Sequence, residues 1–343
     1  MLNKKVLHII GKLNVGGAEN VLVTLVNILH ERDVDVAVLS ILDKGDLSDF
    51  INKDIPQYFL KRTNKFSLRY LRKLYNIVKQ YDIVHVHSHH NLRYVSLCKL
   101  LHLRRFPKLV FHDHSPYIAD NIIFKLIKSE IDVYISVCNR NAEWASKEMN
   151  ISKTFTLPNI VKRLKTEEIK PDKDYVLVGN VSPQKNYEFL IDLSTAFNNE
   201  QFDIYYGGYS SEEYLNELIA DKTENINFIY GEKNIQQIIK RYKMALHCAH
   251  AESGPLVLIE YLAQGVPFIT YNTGEVVAQI KKDLPEFIVN SFNKDEWIMA
   301  INRINELINE DIESLKLRIK KVYEDNFSEE KYFEKCLKIY KSV

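Results

Sequence analysis

Residues 245–271 read ALHCAHAESGPLVLIEYLAQGVPFITY, and their apolar pattern predicts a strand, a helix and a second strand in succession. Ala245–Ala249 and Phe268–Tyr271 are short apolar runs of the length typical of buried strands. The segment between them carries the usual signals of helix ends: Ser253, Pro255, Gly265 and Pro267. Because two strands joined through a helix lie parallel, this stretch predicts an α/β fold built on a parallel sheet.

The same alternation of strand and helix extends over the rest of the chain. Further strands are predicted at Lys5–Ile10, Val34–Leu42, Asp82–His87, Lys108–Phe111, Tyr175–Gly179, Phe202–Tyr206 and Ile226–Tyr230. A segment rich in Lys and Pro, about 152–174, predicts an interdomain linker, and the last ~45 residues have helical spacing. The expected fold class is therefore two doubly wound, Rossmann-like domains that face each other across a cleft, with ligands at the carboxyl ends of the strands.

The composition is that of an ordinary globular protein. The chain has 343 residues, of which 46% are hydrophobic and 27% charged, so disordered, collagenous and disulfide-stapled classes are excluded. No apolar run approaches the ~18–20 residues that span a bilayer, and residues 1–5 show no signal-peptide pattern. The four cysteines form no CxxC pair. We therefore expect reduced thiols in a cytoplasmic protein.

The charge is distributed unevenly along the chain. Residues 1–165 carry 26 basic and 15 acidic side chains, a net charge of +11, whereas residues 166–343 carry 20 and 30, a net charge of −10. The asymmetry is consistent with two halves that attract each other, or with a basic half that faces an anionic membrane or a phosphorylated acceptor. The basic segments 66–81 and 121–128 are amphipathic, which suits a membrane surface or an ordinary packed helix. The cations expected at a membrane are Lys73, Lys79, Arg104, Arg105, Lys125 and Lys128.

Histidines are concentrated in two neighbouring segments of the first half. His85, His87 and His89 alternate along a predicted strand, and His112 and His114 flank an aspartate at the end of the next one. Alternating histidines share one face of a strand, so a metal site is conceivable, but no cysteine or carboxylate triad completes it. Satisfied imidazoles in a buried strand are the other interpretation. His112 lies where a strand ends, and could bind a substrate hydroxyl or a developing charge.

Two loops between a strand and a helix are candidate anion sites. Residues 14–19 contain Gly16 and Gly17, which let a ligand approach the backbone at a helix N-terminus. Residues 179–186 place Lys185 at the start of a helix, where a lysine and the helix dipole together favour a phosphate group. A tight turn and a solvated lysine are the structural alternatives.

The segment 252–260 has the most specific pattern. Glu252 lies in the loop before a helix, and Glu260 follows eight residues later within an apolar helix. A charge in such a helix is costly unless it is paired or hydrogen-bonded. A diol such as a ribose could supply two hydroxyls to the Glu260 carboxylate, and an internal salt bridge is the alternative. Residues 273–275 repeat the strand–glycine–helix geometry and form another possible anion cradle.

Taken together, these segments resemble the family 4 glycosyltransferases of the GT-B fold over essentially the whole chain. The resemblance is carried by a glycine loop, a histidine segment, a Pro-Asn pair, a phosphate loop and an E-x7-E motif that continues through Gly-Val-Pro; these are residues 16–19, 111–113, 157–159, 179–186 and 252–267. It implies domains at 1–160 and 165–327, with a C-terminal helix at about 328–343 that packs back on the first domain.

The resemblance also implies an activity and roles for individual residues. The enzyme would move a sugar from a nucleotide-diphosphate sugar, with UDP as the expected nucleotide, to an acceptor hydroxyl with retention of configuration and without a metal or other cofactor. Nucleotide-sugar binding would fall to Gly16, Gly17, Asn180, Lys185, Gly254, Pro255, Glu260, Thr273 and Gly274. The catalytic residues would be His112 and Glu252, with His114 as a further sugar or acceptor contact.

One residue departs from the family pattern. The family usually has Arg after the glycine of the phosphate loop, whereas this chain has Asn180, which can donate a hydrogen bond but brings no charge. This leaves open a non-catalytic sugar-nucleotide-binding homologue or partner subunit. Another GT-B enzyme, an inverting transferase or an epimerase, is a further alternative.

The expected partners follow from the resemblance and from the charge. They are a nucleotide-sugar donor and a glycan or lipid-linked acceptor in surface polysaccharide or glycoconjugate synthesis, and no nucleic acid. The basic first half adds a possible anionic membrane surface, so we expect a cytoplasmic protein that is peripheral on the inner face of the cell membrane.

Overall fold

The computed structural model describes residues 2–63, 68–102, 106–118, 120–232 and 234–343. The chain divides into two compact units. The first comprises Met1–Ile160 together with Glu329–Val343, and the second comprises Val161–Ser328. The C-terminal segment therefore belongs to the first unit, although the chain reaches it from the second.

A parallel sheet forms the centre of the first unit. The described residues contribute seven strands in the order β3-β2-β1-β4-β5-β6-β7. They are β1 Val6–Ile10, β2 Val36–Ser40, β3 Gln57–Phe59, β4 Ile83–His87, β5 Lys108–Asp113, β6 Val133–Ser136 and β7 Thr154–Thr156. The strands β1, β2 and β4 are buried along their whole length. Burial on both faces explains why they read as continuous apolar runs.

The helices of the first unit cover this sheet. They are α1 Gly17–Glu31, α2 Leu68–Val78, α3 His89–Leu101, α4 Ile122–Ile127, α5 Asn139–Lys147 and, from the C-terminal segment, α12 Glu329–Lys341. The apolar face of α1 is fully buried at Val21, Leu22 and Leu25. The helix α12 buries Tyr332, Cys336, Ile339 and Tyr340, and contacts α1.

The second unit repeats the architecture with a second parallel sheet. Six strands of the described chain lie in the order β10-β9-β8-β11-β12-β13. They are β8 Lys173–Val178, β9 Phe202–Tyr206, β10 Ile226–Tyr230, β11 Tyr242–His247, β12 Phe268–Tyr271 and β13 Ile288–Val289. The helices are α6 Tyr187–Ser194, α7 Glu212–Asp221, α8 Ile235–Ile238, α9 Leu256–Gln264, α10 Gly274–Ile280 and α11 Lys294–Asn326. The last of these is kinked at Asp311.

Both sheets reverse their strand order at one point, between β1 and β4 and between β8 and β11. This is the doubly wound arrangement, so the predicted α/β class with two parallel sheets is confirmed. In such sheets ligands bind outside the carboxyl ends of the strands at the reversal. Among the described residues, no helix combines the length and apolar character that a membrane crossing requires.

Several predicted boundaries were wrong. The expected linker at about 152–174 contains β7 and the start of β8, because Thr154–Thr156 pairs with β6 at the edge of the sheet. The helix α9 begins at Leu256 with Pro255, not Ser253, at its N-cap. Its end was predicted correctly, since Gly265 is the C-cap in a left-handed conformation, φ 70°. The strand at Lys108 extends to Asp113, so His112 lies inside β5.

Candidate active site

The loop after β8 positions Lys185. Pro183–Lys185 forms a 3-10 turn, and Asn186 follows in a left-handed conformation, φ 58°, which asparagine tolerates better than most residues. Lys185 thus lies two residues before the first residue of α6, next to the helix N-terminus where the sequence placed it. A side chain on Gly179 would contact Lys185 and Tyr187, so the glycine leaves room for the lysine at the end of β8.

Lys185 and Glu252 form an ion pair at the carboxyl ends of β8 and β11. The Lys185 Nζ lies 2.5 Å from the Glu252 Oε1, and the buried His247 places its Nε2 3.6 Å from the same oxygen. Burial by itself raises the pKa of Glu252, but the neighbouring His247 and the charge of Lys185 outweigh it and lower the pKa to about 2. Glu252 is therefore a carboxylate at neutral pH. It lies beside the ammonium group of Lys185.

The N-terminus of α10 completes this cluster. The Thr273 hydroxyl accepts a hydrogen bond from the Glu252 amide at 3.2 Å. Gly274 has a φ of 82°, and a Cβ there would lie 3.1 Å from both the Glu252 Cβ and the Pro255 Cδ. Only glycine fits such a position without strain. Thr273, Gly274, Pro255 and Glu252 therefore lie in one cluster, and Gly254 directly precedes Pro255 in the chain.

Glu260 is partly buried on α9, whose other side chains are almost all apolar. Within the described residues its carboxylate has no hydrogen bond and no ion pair, so the structure does not show the internal salt bridge that was the alternative. Burial raises its pKa to about 7. No donor of the described residues therefore satisfies this carboxylate, which is free to accept from a ligand.

Asn180 lies beside the glycine pair that follows β9. Its side chain is 3.7 Å from the position that a Cβ on Gly207 or Gly208 would take. The isolated bridge between Val181 and Tyr209 joins the same two loops. Asn180 stands where the family usually has arginine. Its side-chain amide therefore lies against the backbone of Gly207 and Gly208.

The glycine loop of the first unit leads directly into α1. Gly16 is the N-cap of this helix and Gly17 its first residue. The Glu19 side chain folds back so closely that a Cβ on Gly16 would meet its Oε2. Burial raises the pKa of Glu19. The Glu19 carboxylate therefore lies at the N-terminus of α1, which the sequence predicted to be an anion site.

Five imidazoles and a tyrosine form a buried network on one face of the first sheet. His8 of β1 pairs in register with His85 of β4, and His87 pairs with His112 of β5. The stacked rings continue to His114, whose centroid lies 4.1 Å from that of His112. From α12, the Tyr340 hydroxyl contacts His85 Nδ1 at 2.6 Å and His8 Nε2 at 3.2 Å.

Burial keeps these histidines neutral. It lowers the pKa of His8 to about 3 and that of His114 to about 4, and it lowers the pKa values of His85, His87 and His112 well below the usual 6.5. Neutral imidazoles are the form that binds metals, and two trios, His8-His85-His87 and His87-His112-His114, have ring nitrogens within 4.8 Å of one another.

The ring orientations nevertheless favour a hydrogen-bonded network over a metal site. Neighbouring rings are inclined by only 13–39°. A lone pair lies in the plane of its ring, so nearly parallel rings cannot direct their lone pairs at one ion without rotating. Direct contacts of 3.1 Å between His8 and His87 and of 3.0 Å between His87 and His114 already use four ring nitrogens.

Sequence reasoning missed three members of these sites. His8, His247 and Tyr340 received no role, although His8 is a polar residue in an otherwise apolar strand and His247 ends the apolar run 244–246 of β11. That contrast was the available signal for His8 and His247. For Tyr340 no local signal exists, because an aromatic residue on the apolar face of a helix is an ordinary core residue. Of the predicted residues, Gly16, Gly17, His112 and His114 lie in the first unit, and the remainder lie in the second.

Two family models match consecutive parts of the chain. The model of Glycosyltransferase Family 4 matches residues 15–163, and that of Glycosyl transferases group 1 matches residues 161–322. With the two doubly wound sheets, these matches identify the chain as a glycosyltransferase of the GT-B fold. No curated protein matches it.

Solved structures show the same fold at low sequence identity. The Anabaena protein Alr3699/HepE in complex with UDP and glucose superposes with a TM-score of 0.82 at 15% identity, covering 99% of this chain and 100% of the other. A mutant of S. aureus TarM in complex with Fondaparinux, alpha-GlcNAc-glycerol and UDP gives 0.79 at 12%, with 98% and 99% covered. The pneumococcal O-GlcNAc transferase GtfA in complex with UDP and GlcNAc gives 0.76 at 12%, with 99% of both chains covered.

Proposed function

We propose that this glycosyltransferase moves a sugar from a UDP-sugar to a hydroxyl of a glycan or lipid-linked acceptor, with retention of configuration, in the synthesis of surface polysaccharide or glycoconjugate. The observation that carries the proposal is the cluster in the second unit, where Lys185, Glu252 and the N-terminus of α10 meet at the carboxyl ends of adjacent strands. Solved structures of the same fold hold UDP, which supports the choice of nucleotide.

The cluster suits the departure of a nucleoside diphosphate. Lys185 supplies a positive charge, and the start of α10 supplies the positive end of a helix dipole, although the Glu275 amide is already bonded to the Ser253 carbonyl. Fixed donors of this kind stabilise the charge that develops on a leaving diphosphate. Lys185 must first leave Glu252, so we expect the incoming diphosphate to compete with that carboxylate for the ammonium group. Glu252 then remains beside the donor sugar, as the family resemblance implies.

Glu260 suits the ribose of the nucleotide. Its carboxylate has no donor within the described residues and lies in an apolar helix. The two hydroxyls of a ribose would supply both missing donors, and hydrogen bonds to a charged acceptor are stronger than neutral ones. The roles of Gly16, Gly17, Gly254, His112 and His114 rest on the family resemblance.

We further propose that the reaction needs no metal ion or other cofactor. Lys185 and the helix N-termini would replace the divalent cation in neutralising the diphosphate. Activity should therefore survive an excess of EDTA. Loss of activity that Mn²⁺ or Mg²⁺ restores would contradict this.

The acceptor side of the proposal rests on exposed apolar side chains in the first unit. Ile122 and Leu126 of α4 are 69% and 73% exposed, and the neighbouring helix α3 exposes Leu100 and Leu101. Apolar side chains beside basic ones suit the surface of an anionic membrane, where a lipid-linked acceptor would reside.

The cations expected at this membrane surface have local contacts as well. Lys125 forms an ion pair with Asp120, Lys128 donates to the Met149 carbonyl, Lys73 donates to the Phe59 carbonyl, and Lys79 lies over the Tyr75 ring. Arg104, Arg105 and the start of the segment 66–81 lie outside the described residues. The exposed apolar side chains of α3 and α4 therefore support the membrane proposal more directly than these charges do.

A turnover assay with a panel of nucleotide sugars and candidate acceptors tests the function. We expect transfer from a UDP-sugar, an α-linked product from an α-linked donor, and a rise in melting temperature with UDP, since a ligand that binds the folded state stabilises it. Lys185→Ala should abolish the UDP-induced rise, whereas Lys243→Ala, an exposed lysine paired with Asp174 in the same unit, should not. A UDP-induced rise without turnover of any donor would favour the non-catalytic homologue, which Asn180 in place of the family's usual Arg leaves open.

A further inference from the structure

Five basic side chains lie together at the carboxyl end of β3, outside the site described above. They come from the loop after β3 and from the first turns of α2, and we call them the β3 cluster: Lys61, Arg62, Arg69, Arg72 and Lys73. The Lys73 ammonium group donates to the carbonyl of Phe59, the last residue of β3, at 3.4 Å. All five are exposed to solvent except Arg62, which is half-buried.

A hydroxyl pair holds the loop and the helix together. The Thr63 hydroxyl lies 3.2 Å from that of Tyr70, and this hydrogen bond and the charges of Arg69 and Lys73 lower the pKa of Tyr70. An open cavity of about 490 Å³ lies against the same face of α2. Residues spaced three and four apart along the helix line it: Leu68, Arg69, Arg72, Lys73 and Asn76.

No acidic side chain neutralises the β3 cluster within the described residues. Exposed lysines elsewhere in the same unit do pair with carboxylates, namely Lys5, Lys44, Lys125 and Lys147. In the adjoining loop after β2, Asp43 instead accepts a hydrogen bond from the Lys44 amide. Positive charges held close together without a counter-charge create a potential that attracts an anion.

Arg62 extends the cluster towards the point where the first sheet reverses. Its guanidinium carbon lies 4.3 Å from the centre of the Tyr94 ring, on the helix α3 that follows β4. Burial raises the pKa of Tyr94 to about 12, although the charge of Arg62 and a hydrogen bond from it act in the other direction. Tyr94 therefore stays neutral at physiological pH, and it positions Arg62 without cancelling the positive charge.

We propose that the β3 cluster binds a phosphoryl group of the acceptor, so that the acceptor is a phosphorylated glycan and not a neutral one. The inference rests on the proposed glycosyl transfer and names the chemistry of its acceptor. A guanidinium group binds two oxygens of a phosphate at once, and several cations together share its charge. The cluster lies at the edge of the sheet where ligands bind, and β3 is only two strands, about 10 Å, from β1 at the reversal.

Binding of phosphorylated dextran tests the site without any turnover. Calorimetric titration at low salt, with UDP present to fill the donor site, should show that the wild-type protein binds dextran phosphate. Carboxymethyl dextran of equal charge should bind at least threefold more weakly, and unmodified dextran should not bind. A wild-type protein that does not bind dextran phosphate, or binds carboxymethyl dextran equally well, would overturn the proposal.

A double substitution locates the binding on the protein. Arg69→Gln/Arg72→Gln should lower the affinity for dextran phosphate about tenfold, because charge-assisted contacts are lost, and should leave the affinity for UDP unchanged. Lys5→Gln/Lys147→Gln is the matched control, since it removes two exposed charges from the same unit, each of which is paired with an acid. Equal losses in both variants would mean that only net charge matters, which would also overturn the proposal.

Vesicles that contain phosphatidylglycerol distinguish a glycan phosphate from a membrane surface. We expect the arginine double variant to bind these vesicles as the lysine control does, because the β3 cluster serves the acceptor. If the arginine variant alone loses vesicle binding and keeps its affinity for dextran phosphate, the cluster faces lipid and the proposal is wrong.

Transfer kinetics connect the site to the acceptor. In the turnover assay, dextran phosphate should compete with the acceptor and not with the UDP-sugar, and the arginine double variant should raise the KM for the acceptor but not that for the donor. Competition with the UDP-sugar would overturn the assignment to the acceptor. Absence of any turnover, with binding of dextran phosphate that still depends on the arginines, would refute the proposed transfer and not the phosphate site.

Discussion

Glu260 is a residue whose ionisation destabilises the folded protein but suits the binding of a ligand. Its carboxylate lies on an apolar helix, and within the described residues it has no donor, so the folded protein holds the proton more tightly than the unfolded chain does. With a pKa of about 7 in place of 4.5, its ionisation destabilises the fold increasingly as the pH rises from 4.5 through 7. A residue kept at such a cost suits a ligand that supplies donors.

Glu260→Gln should therefore stabilise the protein and weaken nucleotide binding. Glutamine cannot ionise, so we expect the free energy of unfolding at pH 8 to rise by about 2 kcal/mol, and the gain to vanish near pH 4.5. The affinity for UDP should fall about tenfold, as expected for loss of charge-assisted hydrogen bonds.

Urea denaturation and calorimetric titration with UDP measure the two effects. Glu213→Gln is the control, since Glu213 is exposed on α7 of the same unit and should change neither quantity. Unchanged affinity for UDP in the Glu260 variant would remove the ribose assignment.

At the scale of an element, α4 is unusual in exposing its apolar side. Phe124 is buried against the core, whereas Ile122 and Leu126, one turn apart, point to solvent. Asn121 caps the helix by accepting a hydrogen bond from the Phe124 amide at 3.0 Å. A helix this short is held by its cap and its single buried aromatic residue, so the exposed side is available for a surface.

The double variant Ile122→Glu/Leu126→Glu should lose binding to anionic vesicles. Burial of such a side chain contributes roughly 1.5–3 kcal/mol, and the two glutamates add repulsion, so vesicle affinity should fall at least tenfold. Met299→Glu/Leu317→Glu is the matched control, because these residues are equally exposed on α11 of the second unit. Vesicle co-sedimentation at low salt measures the effect. Wild-type protein that ignores these vesicles would refute the membrane proposal.

At the scale of the whole molecule, the chain passes from the second unit back to the first, where its last residues form α12. Lys4 donates to the carbonyl oxygens of Tyr340 and Val343, and Arg32 pairs with Glu330 at 3.2 Å. The buried face of α12 covers the histidine network through Tyr340. The last helix is thus part of the core of the first unit.

Deletion of residues 329–343 should destabilise the first unit and spare the second. It removes Tyr332, Ile339 and Tyr340 from the core and exposes His8 and His85 to water. Hydrogen exchange read by mass spectrometry should show faster exchange in β1 and β4, and unchanged exchange in β8 and β11. Equal acceleration in both units would mean that α12 stabilises the molecule in another way.

The histidine network should make the first unit sensitive to acid. The pKa values of His8 and His114 are depressed to about 3 and 4, so below pH 6.5 the unfolded chain binds protons that the folded protein excludes. The contribution of these histidines to stability is complete above pH 6.5 and falls as the pH drops towards these values, by up to about 1.4 kcal/mol per pH unit for each group. Urea midpoints at pH 7.5 and pH 5.5 measure the fall.

A substitution within the network tests its origin. His8→Phe should reduce the difference between the two midpoints, whereas Asn20→Ala, at an exposed position of α1 that does not titrate, should leave it as in the wild type. Equal midpoints at both pH values in the Glu260→Gln variant, which lacks the opposite pH dependence of Glu260, would contradict the depressed pKa values.

The sequence by itself determined the elements and the class of fold. Apolar runs depend on neighbouring residues, so β1, β9 and β10 were predicted almost to the residue. The end of α9 was also predictable from the local sequence, because Gly265 can adopt the positive φ that ends a helix. The short strands β3, β6 and β7 were missed, since runs of three or four residues carry little periodic signal.

Only the tertiary structure decided which polar groups meet. Lys185 and Glu252 are 67 residues apart, His8 and His87 are 79 apart, and His85 and Tyr340 are 255 apart. The register of parallel strands and the return of α12 to the first sheet bring these groups together, and neither leaves a local pattern. The sequence could therefore name Lys185, Glu252 and His112 individually, whereas their partners follow from strand order and from the path of the chain.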